Sequence, residues 1–243
     1  CATANCVLYT GATPIFADIR NDTMNVDPSE IEKQITSRTK ALLPVDYAGH
    51  PADMDEILSI ADKHGLTVIE DAAHGLGSTY KGKNVGDLAH MTTFSFHPVK
   101  HVTTGEGGMV TTNHSELYRS LRKFRTHGVD EEIRRQQGPT KGEWYYEMTD
   151  LGYNYRLTDI GSALGISQLK KLPGNIARRR EIVIQYGEVF SNTPGVIVPV
   201  EEPQMMSAWH LYPLRLELEQ FSVGRKEIFQ ALRAENIGVQ VHY

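Results

Sequence analysis

Short apolar runs alternate along this chain with longer stretches in which apolar residues return every third or fourth position. Leu66-Thr67-Val68-Ile69 is free of charge, as a strand covered on both faces should be. Ahead of it Met54, Ile57, Leu58 and Ala61 share one helical face, with Asp53 as the capping residue and Gly65 as the stop. Asp27-Pro28 followed by Glu30 supplies a cap, a proline at the first helical position and an acid in the first turn, which predicts a helix from Pro28 to Ile35. Residues 13–19 and 41–45 read as two further strands. Strand, helix and buried strand in this order make a βαβ unit. The expected fold is therefore α/β, with a mainly parallel sheet flanked by helices and a ligand site at the carboxyl ends of its strands.

Downstream, residues 92–96 and 109–112 predict two more strands, followed by a helix on which Leu117, Leu121 and Phe124 share a face. Residues 130–148 are polar and read as an exposed insertion or loop. Helices are expected from Thr158 to about Leu172 and from Asn175 to about Phe190. A small α+β region then follows Pro194-Gly195, with strand-like residues 211–216, a helix after Gly224 and a strand-like end at 239–241. The domain boundary falls near 172–175. Residues 1–173 read as a large domain lacking its N-terminal part, and 174–243 as an incomplete small α+β domain. The chain opens at Cys1 in mid-element and ends at Tyr243 just past strand-like residues, so it reads as truncated at both ends.

Composition narrows the function classes. The 243 residues are 40% hydrophobic and 23% charged, enough for a sizeable core. The formal net charge of −5 and the lack of a basic run exclude the footprint of a nucleic-acid binder. No stretch nears 18 consecutive apolar residues, so no membrane helix is expected. Two cysteines, Cys1 and Cys6, close together near one end, suit a reducing cytoplasm better than a disulfide framework.

Two motifs carry chemistry. In Ile69-Glu70-Asp71-Ala72-Ala73-His74, two acids end a buried strand, where a carboxylate faces a ligand rather than the core; as a plain alternative, the acid only caps the next turn. An acid beside a pyridine nitrogen keeps that nitrogen protonated, and Asp71 is the candidate. In Thr93-Phe94-Ser95-Phe96-His97-Pro98-Val99-Lys100, a lysine lies just beyond an apolar strand. Partial desolvation there and a nearby cationic ring lower its pKa and free the amine for Schiff-base formation. A solvated surface lysine is the ordinary alternative. Ser95 is a candidate donor to a cofactor phosphate, and Thr103-Thr104-Gly105-Glu106-Gly107-Gly108 lets backbone approach the site or merely links two strands.

Three other signals lead away from function. Residues 77–84 nearly match a phosphate-binding P-loop, but Asn84 stands where Ser or Thr would bind magnesium and no convincing helix follows, so a surface hairpin is expected. No G-x-G-x-x-G occurs, which removes the main argument for a dinucleotide-binding oxidoreductase. His97 and His101 have i, i+4 spacing, but Pro98 lies between them and no H-E-x-x-H is present, so no metal is expected.

Taken together, E-D-A-A-H at 70–74, S-F-H-P-V-K at 95–100, T-T-G-E-G-G at 103–108 and G-Y-N-Y-R-L at 152–157 resemble the DegT/DnrJ/StrS family of sugar aminotransferases, and the likeness runs from Cys1 to Tyr243. W-Y-Y-E-M at 144–148 and V-D-Y-A-G at 45–49 are most similar to the branch serving pseudaminic acid synthesis. The resemblance implies the fold type I, aspartate aminotransferase-like architecture and a homodimer with shared active sites. It also implies pyridoxal 5′-phosphate as cofactor and transfer of an amino group from L-glutamate, which becomes 2-oxoglutarate, to a nucleotide-linked keto sugar, here a UDP-4-keto-6-deoxy-N-acetylhexosamine, for cell-surface glycans. It makes Lys100 the Schiff-base lysine and proton shuttle, Asp71 the partner of the pyridine nitrogen, Ser95 a phosphate ligand and His74 a neighbour of the ring. Asn154 would reach the phosphate of the neighbouring subunit's cofactor, and Arg156 the phosphate or substrate. The family's ring-stacking aromatic residue and phosphate-binding turn precede Cys1. Members that dehydrate sugars carry histidine in place of the lysine, so Lys100 argues against that branch; another nucleotide-sugar aminotransferase of the 4-amino-arabinose type, or a silent regulatory relative, stays open.

Overall fold

Helix α1 (Ala2–Tyr9) opens the chain and gives way to coil. The structure, a computed structural model, describes residues 1–242; Tyr243, the end of the expected small domain, lies outside the described residues. The strand expected at 13–19 is not formed. Pro14 has no N–H to give a ladder, Ile15 and Phe16 stand exposed, and the stretch makes only one isolated antiparallel bridge, Ile19 with Val26. Helix α2 (Pro28–Gln34) begins as its sequence predicts, with the Asp27 carboxylate accepting from the Ser29 amide at 2.8 Å. Strand β1 (Ala41–Leu42) is shorter than its apolar run, because Pro44 interrupts the ladder and beyond it only Val45 bridges, to Asp71. Helix α3 (Met54–His64) buries Met54, Ile57 and Ala61 and stops at Gly65 in the left-handed conformation, φ +63°. Asp53 stands at its cap position without capping it. The Tyr80 hydroxyl does so instead, accepting from the Asp55 amide at 3.2 Å and donating to Asp53 Oδ1 at 3.0 Å.

Strand β2 (Thr67–Asp71) is followed by the hairpin of β3 (Thr79–Tyr80) and β4 (Lys83–Asn84), then by β5 (Met91–Ser95) and β6 (Gly108–Thr111). The main sheet has the order β1-β2-β5-β6; the first three strands are parallel and β6 runs antiparallel to β5, since residues 96–107 return without a crossover helix. The near-P-loop segment is the expected hairpin, turning at Lys81 (φ +48°) and Gly82 (φ +80°). Register decides what faces what: Glu70 pairs with Thr92 and Asp71 with Thr93. With side chains alternating, Glu70 enters the core, where its Oε2 accepts from the Thr92 hydroxyl at 2.6 Å, while Asp71, Thr93 and Ser95 share the opposite face. Ile31, Leu42, Met54, Ile57, Val68 and Tyr80 form one core cluster under α2 and α3. A second, with Ala72, Phe94, Phe96, Val102, Ile176 and Ala208, closes the carboxyl end of the strands.

Helix α4 (Ser115–Arg125) follows as expected, but residues 130–148 are not a plain loop. They contain helix α5 (Glu131–Lys141), which starts because Asp130 accepts from the amides of Glu132 and Ile133 and acids fill its first turn. Helix α6 (Asp159–Leu169) is capped by Thr158, whose hydroxyl oxygen accepts from the Gly161 amide at 3.1 Å, and α7 (Leu172–Phe190) follows at once. Strands β7 (Val196–Ile197) and β9 (Arg215–Leu216) pair antiparallel, while β8 (Met205–Met206), between them in sequence, joins β3 instead. Of the strand-like run 211–216 only its end is a strand, and 239–241 is coil. Helix α8 (Arg225–Ala234) follows Gly224 as predicted. Among the described residues no helix is long and apolar enough to cross a membrane.

Candidate active site

The carboxyl ends of β2 and β5 lie side by side, and the turn leaving each strand carries the groups with chemical potential. At β2, the backbone of Asp71 is fixed on both sides: its amide donates to the Pro44 carbonyl at 2.8 Å and its carbonyl accepts from the Asp46 amide at 3.0 Å. Its side chain accepts from the Ala73 amide at 3.1 Å and from the Thr3 hydroxyl of α1 at 2.6 Å. At β5, Ser95 faces the same side as Asp71, and among the described residues its hydroxyl oxygen accepts only a long 3.4 Å contact from the His97 amide, leaving its proton available to donate.

Beyond Ser95 the chain closes a loop, with the Phe96 amide donating to Gly107 and the Thr104 amide to Phe96. Lys100 sits in this loop, half-buried. Burial pushes its ammonium below the usual lysine range, and the Asp71 carboxylate pulls it partly back. Asp71 thus acts electrostatically on the Lys100 amine, as two groups flanking one ligand must. His101 is buried beside it, and its Nε2–H donates to the Ala208 carbonyl at 3.0 Å. The Ala208 amide in turn donates to the Ser78 hydroxyl oxygen at 3.0 Å, and the Ser78 hydroxyl donates to the Gly49 carbonyl at 2.6 Å. The lysine loop is therefore pinned to the segment behind it.

Imidazoles gather around the amine, among them those of His74, His101 and His210. His74 and His210 lie with ring centroids 4.3 Å apart, and His101 and His210 5.2 Å apart. All three are held neutral. Burial first, then the Lys100 charge and neighbouring imidazoles, lowers His74 to about 3. Burial, with His74 and His101 next, lowers His210 to about 2, and burial with Arg179 and Lys100 lowers His101 to about 4. The Nδ1 atoms of His74, His101 and His210 are buried without a hydrogen-bond partner. The neutral ring of His74 offers an uncommitted nitrogen at the same strand end as Asp71.

The structure thus brings together Asp71, His74, Ser95 and Lys100. Asn154 and Arg156 lie on an exposed segment, where Asn154 bridges Thr126. Beside them, Tyr153 and Tyr155 stack at 4.8 Å, with Phe124 edge-on at 5.1 Å to Tyr153, and all three rings are exposed. His97 is exposed near Glu106, apart from buried His101, and among the described residues no cluster of His, Cys, Asp or Glu is arranged to hold a metal. Sequence reading missed Thr3 and His210. The apolar neighbours in Ala208-Trp209-His210-Leu211 are a usable signal that His210 is half-buried; nothing local marks Thr3, one polar residue on an ordinary helix.

The residues present suit pyridoxal phosphate by the chemistry of their donors: a carboxylate for a pyridine nitrogen, a desolvated amine for an aldehyde, a free hydroxyl proton for a phosphate. Comparison with known proteins agrees. The profile of the DegT/DnrJ/EryC1/StrS aminotransferase family matches residues 1–243. The chain is 41% identical over 245 residues to the UDP-4-amino-4,6-dideoxy-N-acetyl-beta-L-altrosamine transaminase of Campylobacter jejuni, covering 100% of this chain and 62% of that protein. Helicobacter pylori PseC, an aminotransferase involved in the biosynthesis of pseudoaminic acid, superposes with a TM-score of 0.90 at 40% identity, over 100% of this chain and 62% of that one. The sugar aminotransferase Spr1654 of Streptococcus pneumoniae, in its PMP form, gives a TM-score of 0.88 at 32% identity, over 100% and 65%. The chain spans about 62% of the length of the curated relatives it matches.

Proposed function

This chain belongs to the DegT/DnrJ/EryC1/StrS aminotransferase family and has its fold type I architecture, and from that premise we propose that the whole protein uses pyridoxal phosphate to move an amino group from L-glutamate to a nucleotide-linked keto sugar. The observation that carries the reading is the common placement of Asp71, Ser95 and the Lys100 amine at the carboxyl ends of neighbouring parallel strands. The likeness to the altrosamine transaminase favours a UDP-4-keto-6-deoxy-N-acetylhexosamine as acceptor, for cell-surface glycan synthesis.

When bound, the cofactor supplies an electron-withdrawing ring that takes up the electron pair left on the amino-bearing carbon after its proton departs. Asp71 holds the proton on the ring nitrogen through its carboxylate. Lys100, kept partly desolvated, would supply the amine for the cofactor's aldehyde and, once released from it, the base that takes and returns the proton at the amino-bearing carbon. Ser95 donates to the phosphate. His74 would neighbour the ring as a neutral donor or acceptor, since an imidazole with a pKa of about 3 adds no charge at physiological pH.

The protein acts as a homodimer in this reading, with Asn154 reaching the partner's cofactor phosphate and Arg156 contacting phosphate or substrate. The clustered, exposed rings of Phe124, Tyr153 and Tyr155 support a covering partner there, since exposed apolar clusters of this kind mark interaction surfaces, and Ile160, Ile166 and Leu169 on α6 are exposed as well. Residues 1–173 belong to a larger cofactor-binding domain and 174–243 to a smaller one, with β8 reaching back to β3. The free thiols of Cys1 and Cys6 fit a reducing cytoplasm.

The test uses the full-length protein with glutamate and a panel of UDP- and dTDP-linked 3-keto and 4-keto sugars. Expected are a visible absorbance from lysine-bound cofactor, its bleaching by glutamate, and turnover of one UDP-linked 4-keto sugar. Lys100→Ala should remove the absorbance and lower turnover by at least about a thousandfold. A spectrum unchanged by every amino donor would defeat the enzymatic reading in favour of a binding protein.

A further inference from the structure

The two hydrogen bonds to the Asp71 side chain come from different depths of the sequence. Oδ1 accepts from the amide of Ala73, two residues on, and Oδ2 accepts from the hydroxyl of Thr3, 68 residues earlier. The first is a local turn contact that Asp makes readily and that folds the carboxylate back along its own backbone. Since the sheet ladder already fixes the Asp71 backbone on both sides, the second bond is the one that sets the plane of the carboxylate.

We propose that Thr3 is a positioning residue, which aims the Asp71 carboxylate at the pyridine nitrogen of the cofactor and keeps it from swinging onto the Lys100 amine. The inference rests on the assignment of Asp71 made above. Three features of the geometry support it. The bond is 2.6 Å, a length typical of a hydroxyl on a carboxylate. A threonine on a helix is confined mainly to two χ1 rotamers, so its donor has few directions in which to point. A hydroxyl is also neutral. It orients the carboxylate without cancelling its charge, as an Arg or Lys partner would, and so leaves that charge for a protonated ring nitrogen.

Lys100 supplies the competing partner. Its amine already feels the Asp71 charge, and no hydrogen bond or ion pair of its own holds it elsewhere among the described residues. A carboxylate released from Thr3 is drawn to that amine, and a paired ammonium keeps its proton to higher pH, which withholds the nucleophile. Thr3 therefore separates the acid that serves the ring from the base that attacks it.

The experiment takes the full-length protein stripped of cofactor and titrates it with pyridoxal phosphate, following the visible absorbance across a pH range, for the wild type, Thr3→Val and Thr3→Ser. Loss of one charge-assisted hydrogen bond should weaken uptake roughly ten- to a hundredfold in Thr3→Val. Its pH midpoint for uptake should move upward, the unfolding midpoint of the cofactor-free protein should match the wild type, and Thr3→Ser should restore both affinity and midpoint. A Thr3→Val variant with wild-type affinity and pH midpoint overturns the proposal. So does a variant whose affinity falls only together with its unfolding midpoint, because Thr3 is then a packing residue. Wild-type protein that takes up no pyridoxal phosphate overturns the functional reading itself, whereas normal uptake with an indifferent Thr3→Val removes this inference alone.

Discussion

Two carboxyl groups lie beneath the site with no exposed surface, Asp46 and Glu70, and each leaves one oxygen without a partner. Asp46 follows the short strand β1, accepts the Ala52 amide on Oδ1 at 2.9 Å, and rests its other oxygen against the turn that carries His74. The fit is close enough that a Cβ at Gly75 would stand 2.5 Å from Asp46 Oδ2. Burial, and then the Glu70 charge, raises Asp46 well above the ordinary aspartate range, and burial likewise raises Glu70. A carboxyl whose pKa is higher folded than unfolded contributes stability that is fully present below about pH 4 and is lost as pH rises through its folded value. Asp46→Asn keeps the shape and the acceptor for Ala52 but carries no proton to lose. We expect its unfolding midpoint to decline less than that of the wild type between pH 4 and 8, and to be the higher of the two at pH 8. Parallel profiles over that range would remove the assigned role of Asp46.

At the scale of elements, a good cap was not enough to reveal α5, which sequence reading missed. Asp27-Pro28 and Thr158 announce α2 and α6 by residue type, and both side chains make the expected bond. Helix α5 has an equally good cap in Asp130, but its polar composition and Pro139 hid it, because no apolar face marks a helix that buries only Gly138. Such a helix depends on local terms. Removing the cap in Asp130→Ala should cost it about 1 kcal/mol, read as faster amide exchange across 131–141 with the exchange of β2 and β5 unchanged. Equal exchange in the variant would show that packing, not the cap, holds α5. Helix α3 shows the reverse case. Asp53 is in the right place to cap it, yet its carboxylate is taken by the Tyr80 hydroxyl, which reaches it only because the β3–β4 hairpin folds back over the helix start.

Across the whole molecule, imidazoles held neutral by burial weaken the fold in acid. His74, His101 and His210 come from three separated segments, and burial holds all three neutral, at about 3, about 4 and about 2. Groups depressed on folding contribute stability that is present above the unfolded value near 6.5 and lost as pH falls toward the folded ones. That slope is opposite in sign to the contribution of Asp46 and Glu70. His101→Gln retains a donor for the Ala208 carbonyl without a titrating ring, and thermal unfolding followed from pH 7 to pH 4 should show the variant losing less stability than the wild type. An equal loss in both would remove His101 from the account. The sequence by itself determined the strand-helix-strand unit of β1, α3 and β2, the strands β5 and β6, the strand-end position of Asp71 and the loop position of Lys100, because those follow from apolar spacing, turn residues and motif. Only the tertiary structure decided that β6 runs back against β5, that Glu70 turns inward while Asp71 turns out, and that Thr3 and His210 reach the site. Register and chain return fix these outcomes, and both arise from contacts between segments tens of residues apart, which no local pattern encodes.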